Sequence, residues 1–227
     1  MPSNQPIGIF DSGFGGLTVA RAIIDLLPSE DIVYFGDTSR YPYGPQPLEE
    51  VKSYSQQISD YLIAEHNVKM IVIACNTASA AAEGDLRNSK EIPIVGVITP
   101  GAQAVAEVSS TKRIGVIGTV GTINSQAYDK AIKGISPENI ELVSVACPGF
   151  VEFVERGEFE GEQVRILADR LLAPVIQADV DALLLGCTSL PLFSTSNWRV
   201  CGRGRCLSVI SGRNSVCSCK IFESKRS

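Results

Sequence analysis

Residues 70–80 read Met70-Ile71-Val72-Ile73-Ala74-Cys75-Asn76-Thr77-Ala78-Ser79-Ala80. A short apolar, β-branched run leads into Cys75-Asn76-Thr77, and small residues follow. This is the pattern of a buried strand whose carboxyl end delivers a thiol, an amide and a hydroxyl to the start of a helix. Open α/β sheets place their sites at that end of the strands. A lone cysteine there is ordinarily a small buried hydrophobe. A second copy argues for more: residues 182–192, ALLLGCTSLPL, are again an apolar strand that ends in Cys187-Thr188.

Working outward, Ile7-Gly8-Ile9-Phe10 is a strand, Asp11-Ser12-Gly13-Phe14-Gly15-Gly16 a glycine-rich turn, and residues 17–27 a helix. Such a turn lets backbone N–H groups approach an anion at the helix N-terminus. It matches neither G-x-G-x-x-G nor a P-loop, so no nucleotide is inferred. The glycines alone are explained by a tight turn, but Asp11 and Ser12 are poor core residues and point to a site. Residues 32–35 form a second strand, which opens into Gly36-Asp37-Thr38-Ser39-Arg40-Tyr41-Pro42-Tyr43-Gly44-Pro45. That stiff loop presents backbone groups to a ligand or is a structural Ω-like loop. A helix over 48–67, the Cys75 strand, a helix over 77–87, a strand over 92–98 and a turn at Thr99-Pro100-Gly101 complete a β-α-β-α-β-α-β series, hence a parallel sheet with covering helices.

The pattern then restarts. Residues 113–117 are a strand, Gly118-Thr119-Val120-Gly121-Thr122 opens a helix over 123–131, a strand follows at 142–146, helices at 150–155 and 162–176, and the Cys187 strand at 182–185. Ile7-Gly8-Ile9 and Ile114-Gly115-Val116 lie 107 residues apart, and Cys75 and Cys187 lie 112 apart, which suggests an internal duplication. The expected fold is α/β: two similar parallel-sheet lobes related by a pseudo-two-fold, with the active site in the cleft between them.

A chain of 227 residues is long enough for one large domain or two small α/β lobes. The start, MPSNQP, lacks a signal-peptide pattern and no run of apolar residues is long enough to span a bilayer, so the expectation is a cytoplasmic protein without a membrane partner. In that compartment the seven cysteines are thiols rather than a disulfide frame. The single histidine, His66, sits in a charged helical stretch, which argues against a His-bearing metal site or a Cys-His couple. The net charge of −5 hides an asymmetry: residues 193–227 carry seven basic residues and one acid, four of the cysteines and the one tryptophan, Trp198.

Three chemistries suit two facing thiols. A redox pair needs close α-carbons, and neither cysteine is in a C-x-x-C motif. A metal needs more ligands than two thiols and hydroxyls. The third is acid and base on opposite faces of a small substrate, one removing a proton and the other returning it, for which a thiol near its ordinary ionisation range is suited. Ser12, Asn76, Thr77, Thr119, Thr122 and Thr188 would surround such a substrate; the same residues also cap helices. No lysine falls at a strand-end site, which weighs against a pyridoxal enzyme.

The motifs IGIFDSGFGGLTV, YFGDTSRYPYGP, VIACNTASA, GVITPGA, IGVIGTVGTINS and LLLGCTSLPL together resemble the glutamate racemases of the aspartate/glutamate racemase superfamily, over about residues 5–192 and in the family's order. The resemblance implies two α/β lobes and cofactor-independent racemisation of glutamate, supplying D-glutamate for bacterial peptidoglycan and so for cell shape. It implies that Cys75 deprotonates D-glutamate and Cys187 L-glutamate, that Asp11 is the acidic partner of the first cysteine and Glu155 the acid near the second. It places Asp11, Ser12, Pro42, Tyr43, Gly44, Asn76, Thr77, Thr119, Thr122 and Thr188 at substrate-contact positions. No cofactor, metal or nucleic acid is expected, glutamate is the expected partner, and a homodimer is among the expectations. The rival readings are a catalytically silent amino-acid-binding protein and a racemase for aspartate or another small acid.

Two departures stand out. The family has a histidine after its second Cys-Thr, where this chain has Ser189, which bears on the Cys187 half-reaction. Beyond residue 192 the resemblance ends in Cys-, Ser- and Arg-rich sequence without clear periodicity, as a shifted reading frame or an altered gene end would produce; a divergent basic tail is the alternative. The expected organisation is a first lobe over 1–98, which in the family is completed by C-terminal elements, a second over 99–192, and an atypical basic tail over 193–227.

Overall fold

Ile7 and Ile9 project to one face of their strand and Phe10 to the other, and both faces are covered, as an alternating pattern of buried apolar side chains requires. The computed structural model describes residues 4–135, 140–158, 161–190 and strands within 199–223. It divides into two compact units, Met1–Ile98 and Thr99–Ser227.

The first unit is built from β1 (Ile7–Asp11), α1 (Leu17–Leu26), β2 (Ile32–Gly36), α2 (Leu48–His66), β3 (Met70–Ile73), α3 (Asn76–Ser89) and β4 (Ile94–Gly96). Its sheet is parallel throughout, in the order β2-β1-β3-β4. Phe10, Ile71 and Ile73 pack with Val51, Ile58 and Leu62 of α2 and Ala78, Ala82 and Leu86 of α3. On the opposite face Ile7, Ile9, Val72 and Ala74 pack with Ala20 of α1. Ala20 is the one fully buried residue of α1, while Leu17, Ile24 and Leu26 stand exposed. Asn67 ends α2 in the left-handed conformation, a position where asparagine is tolerated, and its side chain accepts a hydrogen bond from Gln5.

The second unit opens differently from the sequence expectation. Thr99-Pro100-Gly101, read as a turn, lies in the first turn of α4 (Ile98–Val108). Proline fits there because the first-turn N–H groups have no helical acceptor. There follow β5 (Arg113–Gly118), α5 (Val120–Asn124), α6 (Ala127–Ile135), β6 (Glu141–Ala146), α7 (Phe150–Glu155), α8 (Glu162–Gln177) and β7 (Ala182–Gly186). The single helix expected over 123–131 is two, because Gln126 takes φ 57° and Ser125 Oγ donates to the Thr122 carbonyl and accepts from the Ala127 N–H. β5, β6 and β7 are parallel.

Despite the lack of strand period in the tail sequence, residues beyond 198 contribute β8 (Arg199–Gly202), β9 (Arg205–Ser208), β10 (Val216–Ser218) and β11 (Lys220–Glu223). β10 adds antiparallel to β7, giving the order β10-β7-β5-β6, and β11-β9-β8 form a small antiparallel sheet. Pro191, Leu192 and Trp198 lie outside the described residues, as do the side chains of the tail cysteines.

The local order is the same in both parallel sheets: the first strand of each unit is flanked by the second and third. Phe10 is level with Ile73, which sets Asp11 level with Ala74; Gly118 is level with Gly186. Cys75 and Cys187 are each the next residue, so the duplication read from the sequence extends to the register of the two thiols.

Candidate active site

The strand–turn–helix sequence around Cys75 makes the cysteine the N-cap of α3, with its sulfur accepting from the Ala78 N–H at 3.5 Å. A helix N-terminus favours negative charge on such a sulfur. The thiol is 5% exposed and donates to Ser12 Oγ at 3.8 Å. α3 is held against the sheet by Ser79, whose hydroxyl donates to the Ile73 carbonyl at 2.9 Å and accepts from the Val97 N–H at 3.2 Å. Glu83 adds a second tie, accepting from the Gly96 N–H at 3.0 Å while pairing with Arg87. Asn76 and Thr77 are buried beside the thiol in the first turn.

Asp11 is 1% exposed, and its Oδ2 accepts from the N–H groups of Gly13 at 3.1 Å and Gly16 at 3.0 Å. The glycine-rich turn therefore does cradle an anion, and that anion is the chain's own carboxylate. Gly16 cannot be another residue without rearrangement: a Cβ there would lie 2.5 Å from the Asp11 Cβ.

Pro42, Tyr43 and Gly44 are ordered by Asp37, a buried carboxylate that sequence reasoning passed over. Asp37 accepts from the Tyr43 hydroxyl, from Ser39 Oγ at 3.1 Å and from Arg40 Nε at 2.6 Å. Arg40 also stacks on the Tyr54 ring, 4.4 Å from its centroid, and donates to Gln57. The Tyr41–Pro42 peptide is cis. Tyr43 packs in the same core cluster as Cys75. Its phenol is pushed up by burial and by its hydrogen bond to Asp37, with Cys75 adding to the effect. The available signal was an aspartate three residues before an arginine in a proline-rich loop.

In the second unit Thr119 caps α5, accepting from the Thr122 N–H at 3.2 Å, and the two hydroxyls lie 3.0 Å apart. Thr119 follows the end of β5, next to the end of β7 where Cys187, Thr188 and Ser189 are buried. Cys147 comes to the other side of β5: its N–H donates to the Gly118 carbonyl at 2.8 Å, and it shares a core cluster with Cys187. Burial, reinforced by Cys187, pushes the Cys147 thiol up to about 12. Burial and Cys187 likewise push the Tyr128 phenol up. Neither residue was singled out from sequence, since Cys147 before a proline and Tyr128 on a helix look like core positions. Glu155 closes α7 as an exposed residue.

The structure thus gathers Asp11, Ser12, Cys75, Asn76, Thr77 and Tyr43 within one unit, and Thr119, Thr122, Cys187 and Thr188 within the other. Among the described residues no group of three or more His, Cys, Asp or Glu could hold a metal ion, and no helix is long and apolar enough to cross a membrane.

The sequence profile of the Asp/Glu/hydantoin racemases matches residues 9–202. A glutamate racemase of Parafrankia sp. (strain EAN1pec) is 50% identical over 202 residues, covering 89% of this chain and 72% of that protein. The crystal structure of a glutamate racemase isoform from Bacillus anthracis superposes with a TM-score of 0.80 at 43% identity, over 84% of this chain and 71% of that one. A glutamate racemase from Francisella tularensis, solved with D-glutamate, gives a TM-score of 0.79 at 41% identity over 85% and 72% of the two chains. With the profile spanning both cysteine strands and a relative 50% identical over most of both chains, the chain belongs to the Asp/Glu/hydantoin racemase family.

Proposed function

We propose that the chain interconverts L- and D-glutamate without a cofactor, by proton transfer between each thiol and one face of the α-carbon. The observation that carries this reading is the matched register of Cys75 and Cys187, each one residue past the level of its central strand's end, with Ser12 and Thr119 at the corresponding hydroxyl positions. In the D-to-L direction the Cys75 thiolate removes the α-proton and the Cys187 thiol delivers one to the opposite face; the reverse reaction exchanges the roles. Atoms and charge balance, since each turnover leaves one thiolate and one thiol with their states interchanged. The curated relative and the solved glutamate racemases support glutamate over aspartate as the substrate.

Asp11 and Glu155 are the proposed acidic partners of the two thiols. The proposed substrate contacts are Asp11, Ser12, Pro42, Tyr43, Gly44, Asn76, Thr77, Thr119, Thr122 and Thr188, with hydroxyls and helix N-termini taking the carboxylates. The reading includes cytoplasmic supply of D-glutamate to peptidoglycan, a homodimeric assembly, and lobes over 1–98 and 99–192 with 193–227 as an appended tail.

A second reading follows from Ser189. Ser189 stands where the resemblance places a histidine, and a serine hydroxyl, unlike an imidazole, does not exchange protons by titrating near neutral pH. The Cys187 half-reaction is then the slower one. Incubation of the protein with each enantiomer in deuterated water, followed by NMR of the α-proton, tests both readings. Exchange with both enantiomers supports racemisation, exchange with D-glutamate alone supports the second reading, and no exchange at saturating glutamate rejects the enzyme.

A further inference from the structure

Tyr34 lies on β2, and the proposed chemistry gives it no task. Its ring packs against the cluster of Ile9, Ala20, Val72 and Ala74, which a phenylalanine would do equally well. Its hydroxyl, however, donates to the Gly13 carbonyl at 2.8 Å. The same Gly13 residue gives its N–H to Asp11 Oδ2 at 3.1 Å, so it is held by the carboxylate on one side and the phenol on the other.

The surroundings leave this turn little freedom. A Cβ on Gly16 would lie 2.5 Å from the Asp11 Cβ, 2.9 Å from the Tyr34 hydroxyl and 3.0 Å from the Ala74 Cβ. Three elements converge on that glycine: the stem of the acid, the phenol, and the residue just before Cys75. A Cβ on Gly36, the last residue of β2, would lie 2.7 Å from the Gly13 carbonyl oxygen, so the turn also rests directly on the strand that carries Tyr34. Burial pushes the phenol up, and the charges of Asp11 and Cys75 push it further, so it remains a donor across the working pH range.

We infer that Tyr34 is a positioning residue for the Cys75 half of the site: by holding the Gly13 carbonyl it fixes the turn whose N–H groups orient the Asp11 carboxylate. The inference rests on the proposed racemase reading and adds a residue to it. When the Tyr34 donor is lost, the Gly13 and Gly16 N–H groups hold Asp11 less well. A carboxylate that loses donors becomes easier to protonate.

Tyr34→Phe tests this, because it removes one oxygen and keeps the ring. The expected results are a fall of about tenfold in kcat for D-glutamate with KM changed by less than about twofold, the size expected when one positioning hydrogen bond is lost. The acid limb of the D-glutamate pH–rate profile moves to higher pH, and the Gly13 and Gly16 amides exchange faster with solvent. Unchanged kcat, acid limb and amide protection would overturn the inference, since a purely packing role leaves all three in place. Fluorotyrosine at position 34, which keeps both ring and donor, retains kcat and amide protection even if Tyr34→Phe does not fold; loss of both in that protein also overturns the inference. Cys75→Ala, measured alongside, separates the failures: retained D-glutamate exchange there rejects Cys75 as the base and with it the two-thiol reading, whereas abolished exchange with a wild-type-like Tyr34→Phe rejects the role of Tyr34 alone.

Discussion

The Cys75 thiol and the Ser12 hydroxyl meet at 3.8 Å, one at the N-cap of α3 and the other just past the end of β1. The two residues are 63 positions apart and are joined by the parallel pairing of β1 with β3. Ser12 Oγ accepts from that thiol, so Ser12→Ala changes the environment of the sulfur without a large change in volume. Exchange of the α-proton of D-glutamate is expected to slow by about threefold to tenfold, the effect of one lost hydrogen bond, while the melting temperature stays close to that of the parent. An unaltered exchange rate would show that the Ser12 hydroxyl has no part in the Cys75 half.

Asp181 supplies a pH-dependent lock at the start of β7. Burial works against its charge, but Ser109 Oγ at 2.6 Å, Ser110 N–H at 2.7 Å and Thr111 N–H at 2.6 Å outweigh it, and its carboxyl is brought down to about 2. A group held below its unfolded value of about 3.9 contributes stability that is present above that pH and is lost as pH falls towards 2. Asp181→Asn is expected to lower unfolding stability at pH 7 by no more than about 1 kcal/mol, since solvent screens this partly exposed carboxylate, and to flatten its decline between about pH 4 and pH 2. Urea titrations at several pH values check this; parallel stability–pH curves for parent and variant would contradict it.

The exposed apolar side chains of α1 and its flanks form a second measurable feature. Phe14, Leu17, Ile24, Leu26 and Leu27 are all exposed, Leu26 at 78%. Apolar surface of this kind favours association. The protein is expected to elute at a concentration-dependent size and to bind a hydrophobic dye, and the double change Ile24→Lys with Leu26→Lys is expected to reduce both. A parent that is monodisperse across concentrations and does not bind the dye would contradict the prediction.

Much of this fold was legible because the signals are local. The apolar runs of β1, β3, β5 and β7 are bounded by polar, glycine-rich turns, and the two Cys-Thr or Cys-Asn strand ends stand out against them. The helix start at Thr99-Pro100-Gly101 was not legible, since proline and glycine together favour a turn unless the following residues are packed as Ala102 and Val105 are. The break at Gln126 rests on one positive φ and a serine hydrogen bond, neither of which disturbs the hydrophobic period. Asp37 and Tyr34 were missed for another reason: their roles depend on burial and on partners folded back onto them. In the glycine-rich turn the chemistry of an anion site was readable, but not that Asp11 itself occupies it.

Ser189 offers a gain-of-function test. The resemblance places a histidine at this position, and here it is a buried serine, whose hydroxyl does not titrate near neutral pH. Ser189→His supplies a group that both accepts and donates a proton near neutral pH. Exchange of the α-proton of L-glutamate is expected to rise by about tenfold or more, with a much smaller change for D-glutamate. Equal rates for variant and parent would mean that Ser189 does not limit this half.

The division of labour between the two thiols is tested most directly by measuring α-proton exchange from each enantiomer in deuterated water with the Cys75→Ala and Cys187→Ala variants. The account predicts opposite losses: Cys75→Ala abolishes exchange from D-glutamate, and Cys187→Ala abolishes whatever exchange the parent shows from L-glutamate while D-glutamate exchange persists. Undiminished exchange from D-glutamate in Cys75→Ala would contradict it.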